Sequence, residues 1–214
     1  MPAIYLLRHG QASFGADDYD VLSERGARQA AVAGRALARR GLVEPIVVSG
    51  SLRRQRDTAL VAADVLGVEV SPPDERWNEL PAHELVEARL GGPGSSAGLT
   101  SLEFQSHLDV AMAEWIDGDS ADWRRFSDGA LAALSDLGAS VPSGSAAVVV
   151  TSSGVTAAVC GRLLGTGAAG VIALNRVSIN ASITTIAASS RGLSLVAFND
   201  HAHFLADREL LTNR

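Results

Sequence analysis

The chain has a single cysteine, Cys160, among 214 residues. An internal disulfide framework is therefore excluded, and a reducing compartment is expected. Cys160 sits in the apolar run GVTAAVCGRLL, where a thiol reads as core packing rather than as a reactive group. Long apolar runs are missing too. None reaches the length of a membrane span, and the first residues lack the basic region, apolar run and small-residue cleavage site of a signal peptide. A soluble, cytoplasmic protein is expected. Positive charge is in deficit, with a net charge of -6 and a pI of about 5.3. This argues against a nucleic-acid surface but leaves room for a local basic pocket. No internal repeat is present. Hydrophobic residues make up 47% and charged residues 20%, so the chain is neither disordered nor fibrous. Its length suits one domain over residues 1–214, with room for a small insertion.

Short strand-like runs occur at Ala3–Leu7, Pro45–Ser49, Val68–Ser71, Ala146–Thr151, Ile183–Ala187 and Leu193–Phe198. Between the first two lies LSERGARQAAVAGRALARRG, rich in helix formers, with Gly41 as a stop. Leu52–Leu66, Ser101–Asp117, Asp122–Leu137 and Val155–Leu164 also read as helices. Strands alternating with helices predict an α/β fold with a mostly parallel sheet covered on both faces. The stretch LGGPGSSAGLTS reads as a loop. It falls inside residues 72–144, a segment with helices and no strong strand, read as an inserted lid or pocket wall.

Four pieces converge on one chemistry. Arg8-His9-Gly10 ends the first apolar run, where a parallel sheet delivers side chains to a site. SGSLRRQRDTA follows the second run and opens a helix, offering Arg53, Arg54 and Arg56 with Ser49 and Ser51. Such a helix entrance suits an anion. Glu79, in RWNELPAHEL, supplies a carboxylate. VVVTSSGVTAAV ends a strand in Thr151-Ser152-Ser153-Gly154, a second strand-to-helix turn with hydroxyls. Each piece alone has a bland reading as a solvated side chain. Together they suit a phosphate: a neutral histidine attacks phosphorus, arginines hold the oxygens and a carboxylic acid protonates the leaving group.

With LLRHGQASF, LSERGARQA, SLRRQRDTA and VVVTSSGV at their spacing, the chain resembles the histidine phosphatase superfamily, the phosphoglycerate mutase-like family, over nearly its whole length. The resemblance implies a three-layer α/β/α sandwich and phosphoryl transfer through a phosphohistidine, with no cofactor or metal. It implies that His9 is the nucleophile and that Arg8 and Arg54 bind phosphate, Arg54 matching the Leu-x-Arg position rather than Arg53. Glu79 resembles the acid, with Glu84 as runner-up. The family's second histidine follows the fourth strand, and Ser152 stands in its place here. Serine keeps one hydrogen-bond donor but carries no positive charge, for which a rate penalty of about 10²–10³ is expected.

Gln11, Ser13, His83, Ser153, His201 and His203 are further candidates for contact with substrate. His201 or His203 reaching the pocket would replace the missing donor; otherwise they pack the C-terminal segment. His107, Trp77, Trp115 and Trp123 read as packing residues. The leading expectation is a phosphatase for a small phosphorylated compound, with no nucleic-acid or membrane partner and with a homodimer as a compatible assembly. The alternatives are a mutase and a non-catalytic binder of phosphate or a partner. A serine hydrolase built on Ser152 or Ser153 lacks the Gly-x-Ser-x-Gly elbow.

Overall fold

The computed structural model describes residues 2–13, 20–118, 120–142 and 144–213. Among the described residues the strands are β1 (Ala3–Arg8), β2 (Ile46–Ser49), β3 (Ala146–Thr151), β4 (Ile183–Ser189) and β5 (Gly192–Asp200). They form one sheet in the order β2-β3-β1-β4-β5. β2, β3 and β1 run parallel, and β4 and β5 are antiparallel additions at one edge. The helices are α1 (Glu24–Ala38), α2 (Arg53–Leu66), α3 (Ala82–Leu90), α4 (Ser101–Asp117), α5 (Ala121–Ser140), α6 (Ser153–Leu164) and α7 (Ala168–Val177).

The central strand β3, AAVVVT, is buried at every position, as a strand covered on both faces must be. On one face Ile4, Leu6 and Val149 pack against Ala133 and Leu134 of α5 and Val155 and Val159 of α6. On the other, Leu7, Val148 and Val150 pack against Ala33 and Leu37 of α1 and Ala59 and Ala62 of α2. This is the expected three-layer sandwich. A third apolar cluster joins Val86 of α3 and Met112 of α4 to Ala157 of α6 and Val171 of α7. Cys160 lies in α6 with no exposure, and burial pushes its thiol up to about 12.

Local signals explain most boundaries. Ser23 caps α1 by accepting the Gly26 N–H at 3.0 Å, and a reciprocal Thr100–Glu103 capping box opens α4. The loop expected at LGGPGSSAGLTS joins α3 to α4. Three expectations change. Val68–Ser71 is not a strand: it meets β2 in a single bridge, Val70 to Val47. Pro72 and Pro73 follow it and have no N–H with which to continue a ladder. Helices α3 and α7 were not expected. α3 buries only Val86 and so shows no apolar stripe, and α7 follows a glycine-rich turn that masks its start.

The loop after β1 lies against the first turn of α1 with backbone nearly touching backbone. A Cβ at Gly10 would stand 2.3 Å from the Gly26 carbonyl oxygen, and one at Gly26 would stand 2.2 Å from that of Gln11. Neither glycine has a positive φ, so what matters is space, not conformation. Gly26→Ala is expected to lower stability by about 1–3 kcal/mol through overpacking. Chemical denaturation measures the loss, and an unchanged midpoint would mean that the loop gives way freely.

Candidate active site

The parallel strands bring their C-terminal ends together. Arg8 pairs in register with Thr151, and Ser49 with Val150, so the residues that follow, His9, Gly50 and Ser152, emerge at one edge. The His9 N–H donates to the Thr151 carbonyl at 2.8 Å. The imidazole is 5% exposed. Its Nδ1 lies 2.8 Å from the Gly10 carbonyl oxygen, which only accepts, so Nδ1 carries the proton. Nε2 therefore keeps its lone pair and accepts from Arg54 Nε at 3.2 Å. Burial pushes the His9 pKa well below the usual imidazole range, and the charges of Arg8 and Arg54 push it the same way. The ring is a neutral base with its unprotonated nitrogen bonded to a guanidinium.

Each cation is itself held. Arg8 Nη1 donates to the Ser178 carbonyl at 2.6 Å, and both its terminal nitrogens reach the Asn213 carbonyl at 3.3 Å. Arg54 Nη1 pairs with Asp20 Oδ1 at 2.6 Å. Asp20 also accepts the Arg53 N–H at 2.7 Å and the Arg54 N–H at 3.4 Å. The entrance to α2 does suit an anion, and here it holds a carboxylate of the same chain. Ser49 and Ser51 turn away from it: Ser49 donates to the Gly50 carbonyl at 2.9 Å, and Ser51 accepts from Asn78 at 2.9 Å. Arg53 and Arg56 are exposed.

Glu79 reaches the entrance of α6. Its Oε1 accepts the Leu80 and Gly154 N–H groups, each at 2.9 Å, and its Oε2 accepts from Ser153 at 3.3 Å. Gly154 leaves room for it, since a Cβ there would stand 2.3 Å from that Oε1. Ser152 is fully buried, and its hydroxyl accepts from Gln55 Nε2 at 2.8 Å. The structure thus brings Arg8, His9, Arg54, Glu79, Ser152 and Ser153 to the same edge of the sheet.

The remaining candidates lie as follows. The Gln11 backbone N–H donates to Gln29 at 2.7 Å, and the Ser13 N–H donates to the Val21 carbonyl at 2.7 Å. His83 and Glu84 are exposed on α3, the His83 ring 4.8 Å from that of Phe104. His201 Nδ1 lies 2.6 Å from the Asn199 carbonyl and His203 Nε2 lies 3.0 Å from that of Ala181. Both rings therefore donate to backbone in the C-terminal half, and His203 also packs on Phe204. Trp77 is buried against the sheet, and Trp115 and Trp123 stack edge to face at 5.2 Å. Among the described residues no group of three or more His, Cys, Asp or Glu side chains converges as metal ligands would. No helix among them is long and apolar enough to cross a membrane.

Sequence reading missed Asp20, Gln55 and Thr58. Thr58 lies in the quoted RDTA block and accepts the Gly10 N–H at 3.1 Å. Asp20 lies outside every quoted motif, and nothing in a sequence marks a glutamine as buried.

The sequence model described as "Histidine phosphatase superfamily (branch 1)" matches residues 4–201. The chain belongs to the histidine phosphatase superfamily. No curated protein matches it. Among solved structures it is similar to mycobacterial glucosyl-3-phosphoglycerate phosphatase, at 25% identity over 93% of this chain and 99% of that one, with a TM-score of 0.67. Two more distant structures share the fold: a phosphoglycerate mutase from Bacillus anthracis (16% identity, 94% of each chain, TM-score 0.64) and a phosphoserine phosphatase mutant from Entamoeba histolytica (17%, 96% and 100%, TM-score 0.60).

The lowered His9 pKa has a thermodynamic consequence for this superfamily member. Below the ordinary imidazole pKa of about 6.5 the unfolded chain binds a proton that folded His9 refuses. The stability it contributes is full above that pH and is lost as pH falls toward the lowered folded value. Partly buried His203 is also shifted down and acts with the same sign. The denaturation midpoint should therefore fall from about pH 7 to about pH 5, and His9→Asn should flatten that fall. An equal slope in both proteins would show that His9 takes up its proton in the folded state.

Proposed function

We propose that the protein is a phosphatase that hydrolyses a small phosphorylated compound through a phosphohistidine on His9 Nε2. One observation carries the reading: His9 is buried and neutral, its Nδ1 proton is fixed on the Gly10 carbonyl, and its Nε2 faces Arg54. In the first step the Nε2 lone pair attacks phosphorus in line and the ester P–O bond breaks. The departing oxygen takes a proton from Glu79, whose Oε2 is the oxygen less occupied by N–H donors. In the second, water attacks phosphorus, the P–N bond breaks, Glu79 takes the water's proton and inorganic phosphate leaves. Arg8 and Arg54 supply the positive charge that the phosphoryl oxygens need through both transfers. The phosphatase similar at 25% identity supports this reading.

Hydrolysis is favoured over mutase chemistry by the segment 72–144, taken as the wall of the substrate approach. A mutase must grip a second anionic group. Here Arg76 pairs with Asp74 and Asp136, Arg89 with Glu114, and Arg125 with Asp122. These cations are already matched by the segment's own carboxylates.

Replacing His9 by alanine should abolish both phosphoenzyme formation and phosphate release from a panel of phosphorylated metabolites and an aryl phosphate. Surviving turnover would exclude the phosphohistidine route. Folded wild type that binds phosphate without turnover would establish the non-catalytic reading. Glu79→Gln should lower turnover of alkyl phosphates by about 10²–10³, the share of a general acid, and should affect an aryl phosphate with a good leaving group far less. Equal losses on both would remove Glu79 from that role.

A further inference from the structure

Gln55 is an unusual buried residue. It lies on the inner face of α2 with no exposure. Its Nε2 donates to the Trp77 carbonyl at 2.9 Å and to the Ser152 hydroxyl at 2.8 Å. The amide orientation follows from these partners: the Trp77 carbonyl only accepts, so the nitrogen must face it. Both amide protons are thereby used. Oε1 is buried with no hydrogen-bond partner. It lies against Gly50, where a Cβ would stand 2.0 Å from it. An unpaired buried acceptor works against stability, so its presence calls for an explanation.

The explanation lies in what the amide does to Ser152. A hydroxyl that accepts from Nε2 has one proton left to donate. Ser152 does not cap α6 with its side chain. Its backbone carbonyl accepts from Thr156, and no described residue accepts its O–H. Ser152 directly follows Thr151, whose carbonyl holds the His9 N–H. The O–H is therefore a buried donor with no partner among the described residues, one residue beyond the strand position bonded to His9.

We propose that Gln55 and Ser152 work as one unit that donates to a phosphoryl oxygen, with Gln55 as the positioning residue. Gln55 keeps the hydroxyl in its acceptor state and so commits the O–H to the anion. A lone serine would be free to rotate its proton elsewhere. Gly50 makes the room for this amide, and its missing side chain belongs to the same device. The inference rests on the phosphatase reading for its turnover arm, while its binding arm does not need turnover.

The test uses the full chain as wild type, Gln55→Leu, Ser152→Ala, the double variant and Gly50→Ala. The readouts are calorimetric affinity for inorganic phosphate and for vanadate, turnover of an aryl phosphate, and melting temperature. Ser152→Ala should lower turnover by about 10²–10³, as for a lost oxyanion donor. Gln55→Leu should lower it by at least tenfold, mainly in kcat. Its vanadate affinity should fall more than its phosphate affinity, because the donor matters most in the transition state. The double variant should be no worse than Ser152→Ala alone. The melting temperature of Gln55→Leu should hold or rise, since the unpaired Oε1 is gone. Gly50→Ala, which pushes on the amide without deleting it, should shift vanadate affinity the same way. Losses that add in the double variant, or a Gln55→Leu protein that is less stable but binds vanadate as wild type does, would reduce Gln55 to a structural residue and overturn the proposal. If wild type binds phosphate and vanadate without turnover, the phosphatase reading fails while the coupling in affinity still decides the pair. Wild type that binds neither anion would overturn both.

Discussion

A neutral imidazole held out of water, bonded to Arg54 and within the field of Arg8, is the constraint on which the rest of this structure depends. His9 stays uncharged because solvation is denied to it and two arginines repel a proton. That arrangement is stable only if every neighbour is fixed. The Gly10 carbonyl sets the tautomer, and Gly10 is pinned by its N–H on Thr58 and by contact with the Gly26 backbone. The His9 carbonyl accepts from the Ala181 N–H at 3.2 Å. Ala181 reaches it only with φ at 53°, a left-handed conformation that costs an alanine about 1–2 kcal/mol. The antiparallel edge of the sheet thus holds the edge that carries His9 at the cost of local strain.

Residues 210–213 act as a strap. Gln29, fully buried, donates to the Leu210 carbonyl and to Thr212, each at 2.8 Å, while its own oxygen accepts the Gln11 N–H. The Asn180 N–H donates to the Thr212 carbonyl, and Asn213 holds Arg8. Residues 210–213 and the β1 loop thus meet behind His9. Positive potential at the site comes from arginines positioned by backbone carbonyls on one side and by the Asp20 carboxylate on the other. The Arg54 guanidinium is thereby held in one orientation, and the Asp20 carboxylate offsets part of its charge.

Two roles fall to residues that join layers. The Trp77 carbonyl accepts from both Gln55 and Thr151, so the short turn after the Pro72-Pro73 pair ties α2 to β3. Glu79, two residues on, ties the same turn to α6 through Gly154. Segment 72–144 therefore does more than flank the sheet. Its first residues supply the carboxylate and the carbonyl that organise the site, and α5 closes one face of the core.

The sequence by itself determined the sandwich, the strand ends and the identity of the chemical groups. Alternating apolar runs and helix formers need no tertiary information to be read, and Arg8-His9-Gly10, SLRRQRDTA and TSSG mark places where a chain stops being hydrophobic and starts to offer polar groups. Element limits were least legible where a proline pair cut Val68–Ser71 short and where glycines masked α7. Only the tertiary structure decided which polar groups meet. That Asp20 fills the entrance of α2, that the histidines at 201 and 203 donate to backbone, and that Gln55 is buried against Ser152 depend on contacts between segments far apart in the chain. Glutamine and aspartate look like surface residues in any sequence window. Burial is a property of what the rest of the fold places around them, and a linear pattern does not contain it.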